Sequence, residues 1–167
     1  GANQKDLPKD AGDSAIARLD ARRHASGGTP TAKLRLEMQQ VMQTHCAVFR
    51  TGEILEEGKR KLEQVWRGGS DIQVSDRSMI WNSDLVETLE YDNLMAQSIV
   101  SLHSALNREE SRGGHAREDF PDRDDDNWMK HTLVWFDDDG VRFDYRPVHT
   151  QTLSNDVQPV PPKVRVY

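Results

Sequence analysis

Helical periodicity over the first two thirds of the chain most constrains its fold. Apolar side chains there recur every three or four residues, and short turns marked by glycine or by helix-capping residues separate the periodic segments. The clearest stripe consists of Leu34, Met38, Val41, His45 and Phe49. Helices joined by short turns pack as antiparallel neighbours. We therefore predict a mainly α fold, with an up-and-down bundle of three to four helices over residues 1–110.

Two of the predicted helices begin at recognisable caps. Thr29 is followed by Pro30, and proline suits the first helical position because its fixed φ matches the helix. We therefore predict that Thr29 caps the second helix. Asn82 precedes the longest periodic segment and is predicted to be its cap. The predicted buried stripe of this helix comprises Leu85, Leu89, Ala96, Ile99 and Leu106.

The remaining residues, 111–167, have a different character. Two runs rich in β-branched and aromatic residues flank the turn Asp137–Gly140, which predicts a two-stranded antiparallel β-hairpin. After the hairpin, three prolines and an absence of periodicity predict an extended tail that ends in Val164, Val166 and Tyr167. A lone hairpin is marginally stable in water. We therefore expect the hairpin and the tail to pack on the bundle or on a domain outside this sequence.

Charge and hydropathy exclude several classes of protein. The formal net charge of −6 argues against a nucleic-acid partner, which requires a basic surface. A basic run over residues 18–35 is interpreted as a solvated helix face. No run of 18 apolar residues and no charged leader followed by an apolar run occurs, so we expect a soluble chain. The single cysteine, Cys46, cannot form an internal disulfide, which fits a reducing compartment.

Two clusters resemble metal or catalytic sites, and both have a simpler explanation. His45 and Cys46 lie on or beside the apolar stripe of the second predicted helix, so we predict a packed core pair. The acidic run 122–126 fails as a calcium loop, because Asn127 and Leu133 stand where glycine and glutamate are required. No dinucleotide, P-loop or nucleophile-elbow pattern occurs. We therefore predict no catalytic, cofactor-binding or metal-binding residue in this chain.

The strongest candidate for a functional site is the loop over residues 111–128. It contains three arginines, one histidine and six carboxylates. Arg112, His115 and Arg117 are candidate docking residues, because arginine pairs bidentately with carboxylates across an interface. The alternative is an arginine–carboxylate network within this chain. An Arg117→Ala change separates the two, since a docking residue leaves the free energy of unfolding of the chain within about 1 kcal/mol of wild type, whereas an internal arginine does not.

Five ordered motifs resemble the C-terminal portion of succinate dehydrogenase flavoprotein subunits of the alpha-proteobacterial and mitochondrial kind. They are KLRLEMQQVMQTHCAVFRTGEILEEG (33–58), WNSDLVETLEYDNLM (81–95), ESRGGHAREDFPDRDDDNWMKHTL (110–133), YRPV (145–148) and PPKVRVY (161–167). The resemblance extends from about Leu7 to Tyr167, with Gly114 where alanine is expected. The chain does not begin with methionine, so we expect it to belong to a longer polypeptide.

The resemblance implies an enzyme of the tricarboxylic acid cycle and the respiratory chain. The intact subunit would oxidise succinate to fumarate with covalently bound FAD and pass electrons through an iron-sulfur subunit to quinone. Its partners would be the flavin-binding domain of the same subunit, the iron-sulfur subunit and, indirectly, the membrane-anchor subunits. It would lie peripherally on the cytoplasmic face of the bacterial inner membrane.

The same resemblance implies a non-catalytic role for this chain. The flavin-linked histidine, the dinucleotide-binding glycines and the substrate-binding residues of the family lie upstream. The chain alone is therefore expected to bind no FAD and to act as a scaffold and docking domain. Two alternatives stay open: the C-terminal domain of a fumarate reductase or L-aspartate oxidase relative, and an autonomous helical protein-binding module.

Overall fold

The computed structural model describes residues 4–137 and 139–163. In chain order the α-helices and strands are α1 (Asp13–Arg23), β1 (Thr29–Pro30), α2 (Thr31–His45), α3 (Gly52–Gly68), β2 (Ile72–Gln73), α4 (Ser83–Asn107), α5 (Asp125–Trp128), β3 (Lys130–Asp137) and β4 (Gly140–Pro147), and a 3₁₀ helix (Gly69–Asp71) joins α3 to β2. Within these residues, no helix has the length and apolar character needed to cross a bilayer.

The core lies between α2, α3 and α4. Its buried apolar side chains come from all three helices and from the segment around β2: Leu34, Met38, Leu55, Leu62, Val65, Ile72, Val74, Tyr91, Met95, Ile99, Leu102 and Ala105. Gly58 sets the distance between α2 and α3, because a Cβ there would lie 2.5 Å from the Cβ of His45. The predicted helical bundle is confirmed.

Helix α1 attaches to the bundle by charge and not by apolar burial. It has no buried residue. The guanidinium of Arg22 donates to both carboxylate oxygens of Asp92 on α4, at 2.9 and 2.6 Å, and to the carbonyl of Gly69 at 3.2 Å. Bidentate pairs of this kind fix orientation as well as position.

The predicted β-hairpin is also confirmed. β3 and β4 pair antiparallel, with Asp137 opposite Gly140 as the last pair before the chain reverses. Gly140 has a φ of 106°, which a residue with a side chain rarely adopts. Phe136 and Val141 pack against the core, and the Phe136 ring meets Trp66 edge to face at 5.4 Å. The hairpin therefore has support within the chain.

The prediction for Thr29 is wrong. Its hydroxyl donates to the carboxylate of Asp71 at 2.9 Å, and the same carboxylate accepts from the amide of Gly28. β1 pairs in parallel with β2, so Pro30 occupies the N-cap position and α2 begins at Thr31. The Asp71 carboxylate competes successfully for the hydroxyl that would otherwise have capped α2.

The predicted buried stripe of α4 is only partly correct. The Asn82 cap is present, since its side-chain oxygen accepts from the amide of Leu85 at 2.8 Å. Leu89, Ala96 and Leu106 are only half-buried. Several polar or amphipathic residues are buried instead: Thr88, Tyr91, Asp92 and Ser98. They are tolerated inside because they have partners, as where the Tyr91 hydroxyl donates to the Val65 carbonyl at 3.1 Å.

Helix α2 ends earlier than the sequence pattern predicts. His45 is its last residue and is buried, whereas Phe49 lies beyond the helix with 70% of its surface exposed. Cys46 is therefore not in mid-helix but directly follows α2, half-buried against the core. Burial raises the pKa of the Cys46 thiol, and nearby Arg50 opposes part of that shift.

The tail after β4 has neither helix nor strand over residues 148–163, and most of its side chains are exposed. The prediction made for Val164, Val166 and Tyr167 lies outside the described residues.

Candidate docking site

The candidate loop leaves the end of α4 and leads to α5. Its first part is a tight turn in which the backbones of Arg112 and His115 exchange two hydrogen bonds, of 2.8 and 3.0 Å. Gly113 has a φ of 58°, the left-handed region that favours glycine. The hydroxyl of Ser111 accepts from the amide of Arg117 and donates to the carbonyl of Phe120, both at 2.8 Å. The loop is thus held in shape by its own hydrogen bonds.

Glu110 is the centre of the charge network in this loop. Its side chain is fully buried, and its carboxylate accepts from Arg108, from Arg112 at 2.7 and 2.9 Å, and from the amide of Asp124 at 2.9 Å. Burial opposes ionisation of Glu110, but these hydrogen bonds outweigh burial and hold its pKa below the usual value. The buried carboxylate is therefore charged at neutral pH.

Arg117 and Asp119 form an ion pair that contacts the start of α3 and the end of α4. Asp119 accepts from Arg117 at 2.7 and 2.8 Å and from the amide of Gly52, the first residue of α3, at 2.7 Å. Arg117, which is 3% exposed, also donates to the carbonyls of Ala105 and Leu106 in the last turn of α4. A carboxylate thus meets a helix N-terminus and a guanidinium meets a helix C-terminus, which is the favourable arrangement at each end.

His115 is held as a neutral ring. Its Nδ1 lies 2.9 Å from Nη1 of Arg50, which can only donate, so the Nε2–H donates to the carbonyl of Arg108 at 3.2 Å. Burial lowers the pKa of His115, and the charge of Arg50 lowers it further. A neutral imidazole in this position links the loop to the segment that follows α2.

The three predicted residues lie in one loop but at different depths. Arg112 and His115 are half-buried, and Arg117 is buried. The carboxylates that pair with Arg112 and Arg117 belong to this chain, so both guanidinia have internal partners, as in the alternative interpretation of the sequence. Docking by these residues stays a prediction.

Sequence reasoning missed several members of the site, among them Glu110 and Arg50. Glu110 lies between Arg108 and Arg112, two residues from each, and this alternation of charge could have marked it as their shared partner. Arg50 is 65 residues from His115, and nothing in the local sequence connects the two.

A basic groove of about 780 Å³ lies beside the loop. The described residues that line it include no carboxylate, and its basic and histidine members are Arg50, Arg108, Arg112, His115, Lys130 and His131. The ammonium of Lys130 lies over two aromatic rings, those of Trp128 at 4.9 Å and Tyr145 at 4.0 Å. Glu110 compensates Arg108 and Arg112, and His115 is neutral, so the positive charge that the groove offers comes mainly from Arg50 and Lys130. This charge suits an anionic partner and not a cation.

The N-termini of α3 and α4 do not fit the pyrophosphate of a flavin dinucleotide, which binds at a glycine-rich helix N-terminus. The N-terminus of α3 is already occupied by the carboxylate of Asp119. The N-terminus of α4 is capped by Asn82 and carries Asp84 in its first turn. Negative side chains at both positions would repel a phosphate, so we assign no flavin contact to these helix ends.

Acid should weaken this site through Asp119. The Arg117 guanidinium lowers the pKa of the Asp119 carboxyl to about 2, against about 3.9 in an unfolded chain. Because the folded pKa is the lower one, the stabilisation is complete above about pH 4 and is lost as the pH falls towards 2.

Urea unfolding from pH 5 to pH 2 should show a smaller loss of stability in Asp119→Asn than in wild type. Asp10→Asn, an exposed control, should follow wild type, and an Asp119→Asn profile identical to wild type would contradict this assignment.

Known proteins resemble this chain over nearly its whole length. The family described as fumarate reductase flavoprotein C-term matches residues 35–167. The mitochondrial succinate dehydrogenase [ubiquinone] flavoprotein subunit of Oryza sativa subsp. japonica is 53% identical over 167 residues, which cover 100% of this chain and 26% of that protein. The succinate dehydrogenase flavoprotein subunit of Rickettsia bellii is 51% identical over 164 residues, 98% of this chain and 28% of that protein.

A solved structure shares the fold. A variant of E. coli quinol fumarate reductase superposes with a TM-score of 0.81 at 33% identity, covering 90% of this chain and 27% of that chain. The present chain thus spans about a quarter of the length of the proteins it matches.

Proposed function

The chain belongs to the succinate dehydrogenase and fumarate reductase flavoprotein family, as the C-terminal domain of such a subunit, and from this membership we propose that the intact protein oxidises succinate to fumarate. The observation that carries the proposal is the 53% identity to a succinate dehydrogenase subunit over the whole chain. FAD, bound by the part of the subunit outside this chain, would accept the hydride. An iron-sulfur subunit would then pass the electrons towards quinone.

Fumarate reduction is the second candidate, because the family includes fumarate reductases. The solved fumarate reductase is 33% identical to this chain, against 53% and 51% for the two succinate dehydrogenase subunits. This difference supports the comparison with succinate dehydrogenase subunits as the basis of the proposed activity.

The proposed role of this chain within the subunit is that of a scaffold. Residues 1–110 would form the bundle, and residues 111–167 would pack on that bundle or on the flavin-binding domain. Through its partners the chain would lie peripherally on the cytoplasmic face of the inner membrane, attached indirectly to the membrane-anchor subunits.

The proposed docking site is the basic groove with its loop. Arg112 and His115 line the groove, and Arg117 is buried under the loop, where it donates to the carbonyl of Ala105 at the end of α4. The groove lacks carboxylates of its own among the described lining residues, so an acidic segment of the flavin-binding domain or the iron-sulfur subunit complements it. Arg50 supports this role, because its described partners are the Ala47 carbonyl and the neutral His115, which leave its charge uncompensated.

The test of the proposed function compares the full-length subunit with the 167-residue chain. The full-length subunit, assembled with its iron-sulfur partner, should reduce an artificial dye with succinate as donor. The chain alone should neither retain flavin through gel filtration nor reduce the dye, because the flavin and substrate residues of the family lie outside it. Dye reduction by the chain alone would refute the scaffold role, and a full-length enzyme inert towards both succinate and fumarate would refute the activity.

A further inference from the structure

Three consecutive large apolar residues protrude from the loop that precedes α4. Met79, Ile80 and Trp81 have 62%, 77% and 98% of their surfaces exposed. Scattered single apolar residues are normal on a protein surface, but adjacent ones with this exposure indicate an interaction site. We call these three residues the apolar knob.

The backbone beneath the knob is held firmly. The side-chain amide of Asn82 donates to the carbonyls of Asp76 and Ser78, at 2.7 and 2.9 Å. The carboxylate of Asp84 accepts from the amides of Ser75 and Asp76, at 2.7 and 3.2 Å. The loop is therefore organised before any partner arrives, which lowers the entropic cost of docking.

The backbone of Trp81 lies in a conformation that bulky residues rarely adopt. Its φ is 52°, and a bulky residue with positive φ is a genuine outlier. Such strain persists where the surroundings over-determine it and concentrates at functional positions. Trp81 is almost fully exposed, so packing of its own indole within the described chain does not offset that strain.

We propose that the apolar knob inserts into a hollow on the flavin-binding portion of the same polypeptide. This inference rests on the proposed function, in which that portion makes up most of the subunit. Three side chains cannot supply the roughly 800 Å² that each partner buries in a stable interface between separate proteins. A small contact suffices when the partner is part of the same chain, because the effective concentration is high. The matched relatives are about four times longer than this chain, so a covalently linked partner of ample size exists in the family.

The charges around the knob disfavour a membrane as its partner. Within eight residues of it in sequence lie four acidic residues, Asp71, Asp76, Asp84 and Glu87, and one basic residue, Arg77, and the chain as a whole carries a net charge of −6. The cytoplasmic leaflet of a membrane is also negative, so binding there would meet repulsion.

The experiment is hydroxyl-radical footprinting of the full-length flavin-containing subunit without its iron-sulfur partner. Mass spectrometry measures the oxidation rates of Met79 and Trp81 in the folded and in the urea-unfolded subunit, with an added free peptide as a radical dosimeter. Both residues should be oxidised at least about fivefold more slowly in the folded subunit, because close-packed side chains are shielded from solvent. Addition of the iron-sulfur subunit or of anionic vesicles should cause no further protection.

Four outcomes would overturn the proposal. They are full exposure under all conditions, protection only with the iron-sulfur subunit, protection only with vesicles, and protection that rises with subunit concentration, which indicates a second copy. A Trp81→Gly variant provides a second readout, because glycine accepts the positive φ while the indole is lost. It should separate the unfolding transitions of the two domains in the full-length subunit, whereas Leu36→Ala, at an exposed apolar position on α2, should not.

The failure of this proposal is distinguishable from the failure of the proposed function. Protected knob residues in a subunit that does not oxidise succinate would count against the function alone. Exposed knob residues in an active enzyme would count against the knob alone.

Discussion

Replacing Arg117 by alanine is expected to lower the free energy of unfolding of the 167-residue chain by roughly 2–3 kcal/mol, because a buried guanidinium that donates to a carboxylate and to two backbone carbonyls is lost. Arg117 is 3% exposed and joins Asp119 to the last turn of α4. The change would leave the carbonyls of Ala105 and Leu106 without this donor. Urea unfolding followed by circular dichroism measures the effect.

Two further variants control this experiment. Arg60→Ala, at an exposed position within α3, should change stability by less than about 0.5 kcal/mol, as surface substitutions usually do. Arg117→Lys should recover only part of the loss, because an ammonium cannot reproduce the fork of hydrogen bonds. An Arg117→Ala chain within about 1 kcal/mol of wild type would instead favour the docking interpretation, in which the essential partner of Arg117 lies across an interface.

Replacing Glu110 by alanine is expected to be at least as damaging, at about 3–5 kcal/mol, because a fully buried carboxylate is lost from a charged network. Arg108 and Arg112 would both lose their shared acceptor, and the amide of Asp124 would lose its partner. Thermal and urea unfolding of the 167-residue chain measure the loss.

The neighbouring residue offers a matched control for Glu110. Glu109 is exposed, so Glu109→Ala removes the same side chain and charge one position away. That variant should unfold like wild type to within about 0.5 kcal/mol. Equal effects at the two positions would show that the network around Glu110 contributes nothing beyond the charge itself.

Features determined within a few residues could be predicted from the sequence. The cap at Asn82 involves an amide three residues away, and the hairpin turn joins Asp137 to Gly140. In each case the residue types alone favour the observed geometry. The five motifs also predicted the family to which the domain belongs, and the comparisons support that prediction.

Features that join distant residues could not be predicted. The hydroxyl of Thr29 is taken by Asp71, 42 residues away, and the hydroxyl of Tyr91 reaches a carbonyl 26 residues away. Hydrophobic periodicity carries no information on such polar pairs, which explains why the buried stripe of α4 differs from the predicted one. For the same reason the sequence marked the loop that contains Arg117 as the candidate site but did not predict that the Arg117 side chain is buried.

The ion pair shared by two helix ends also restricts how this sequence can diverge. A Cβ at Gly52 would lie 3.2 Å from both Nη2 of Arg117 and Oδ2 of Asp119, so even an alanine there would press on the pair. Loss of Arg117 would remove the donor at the end of α4, and loss of Asp119 would remove an acceptor at the start of α3, where the Thr51 cap would remain. A side chain at position 52 is therefore accommodated only if the Arg117–Asp119 pair shifts by a few tenths of an ångström.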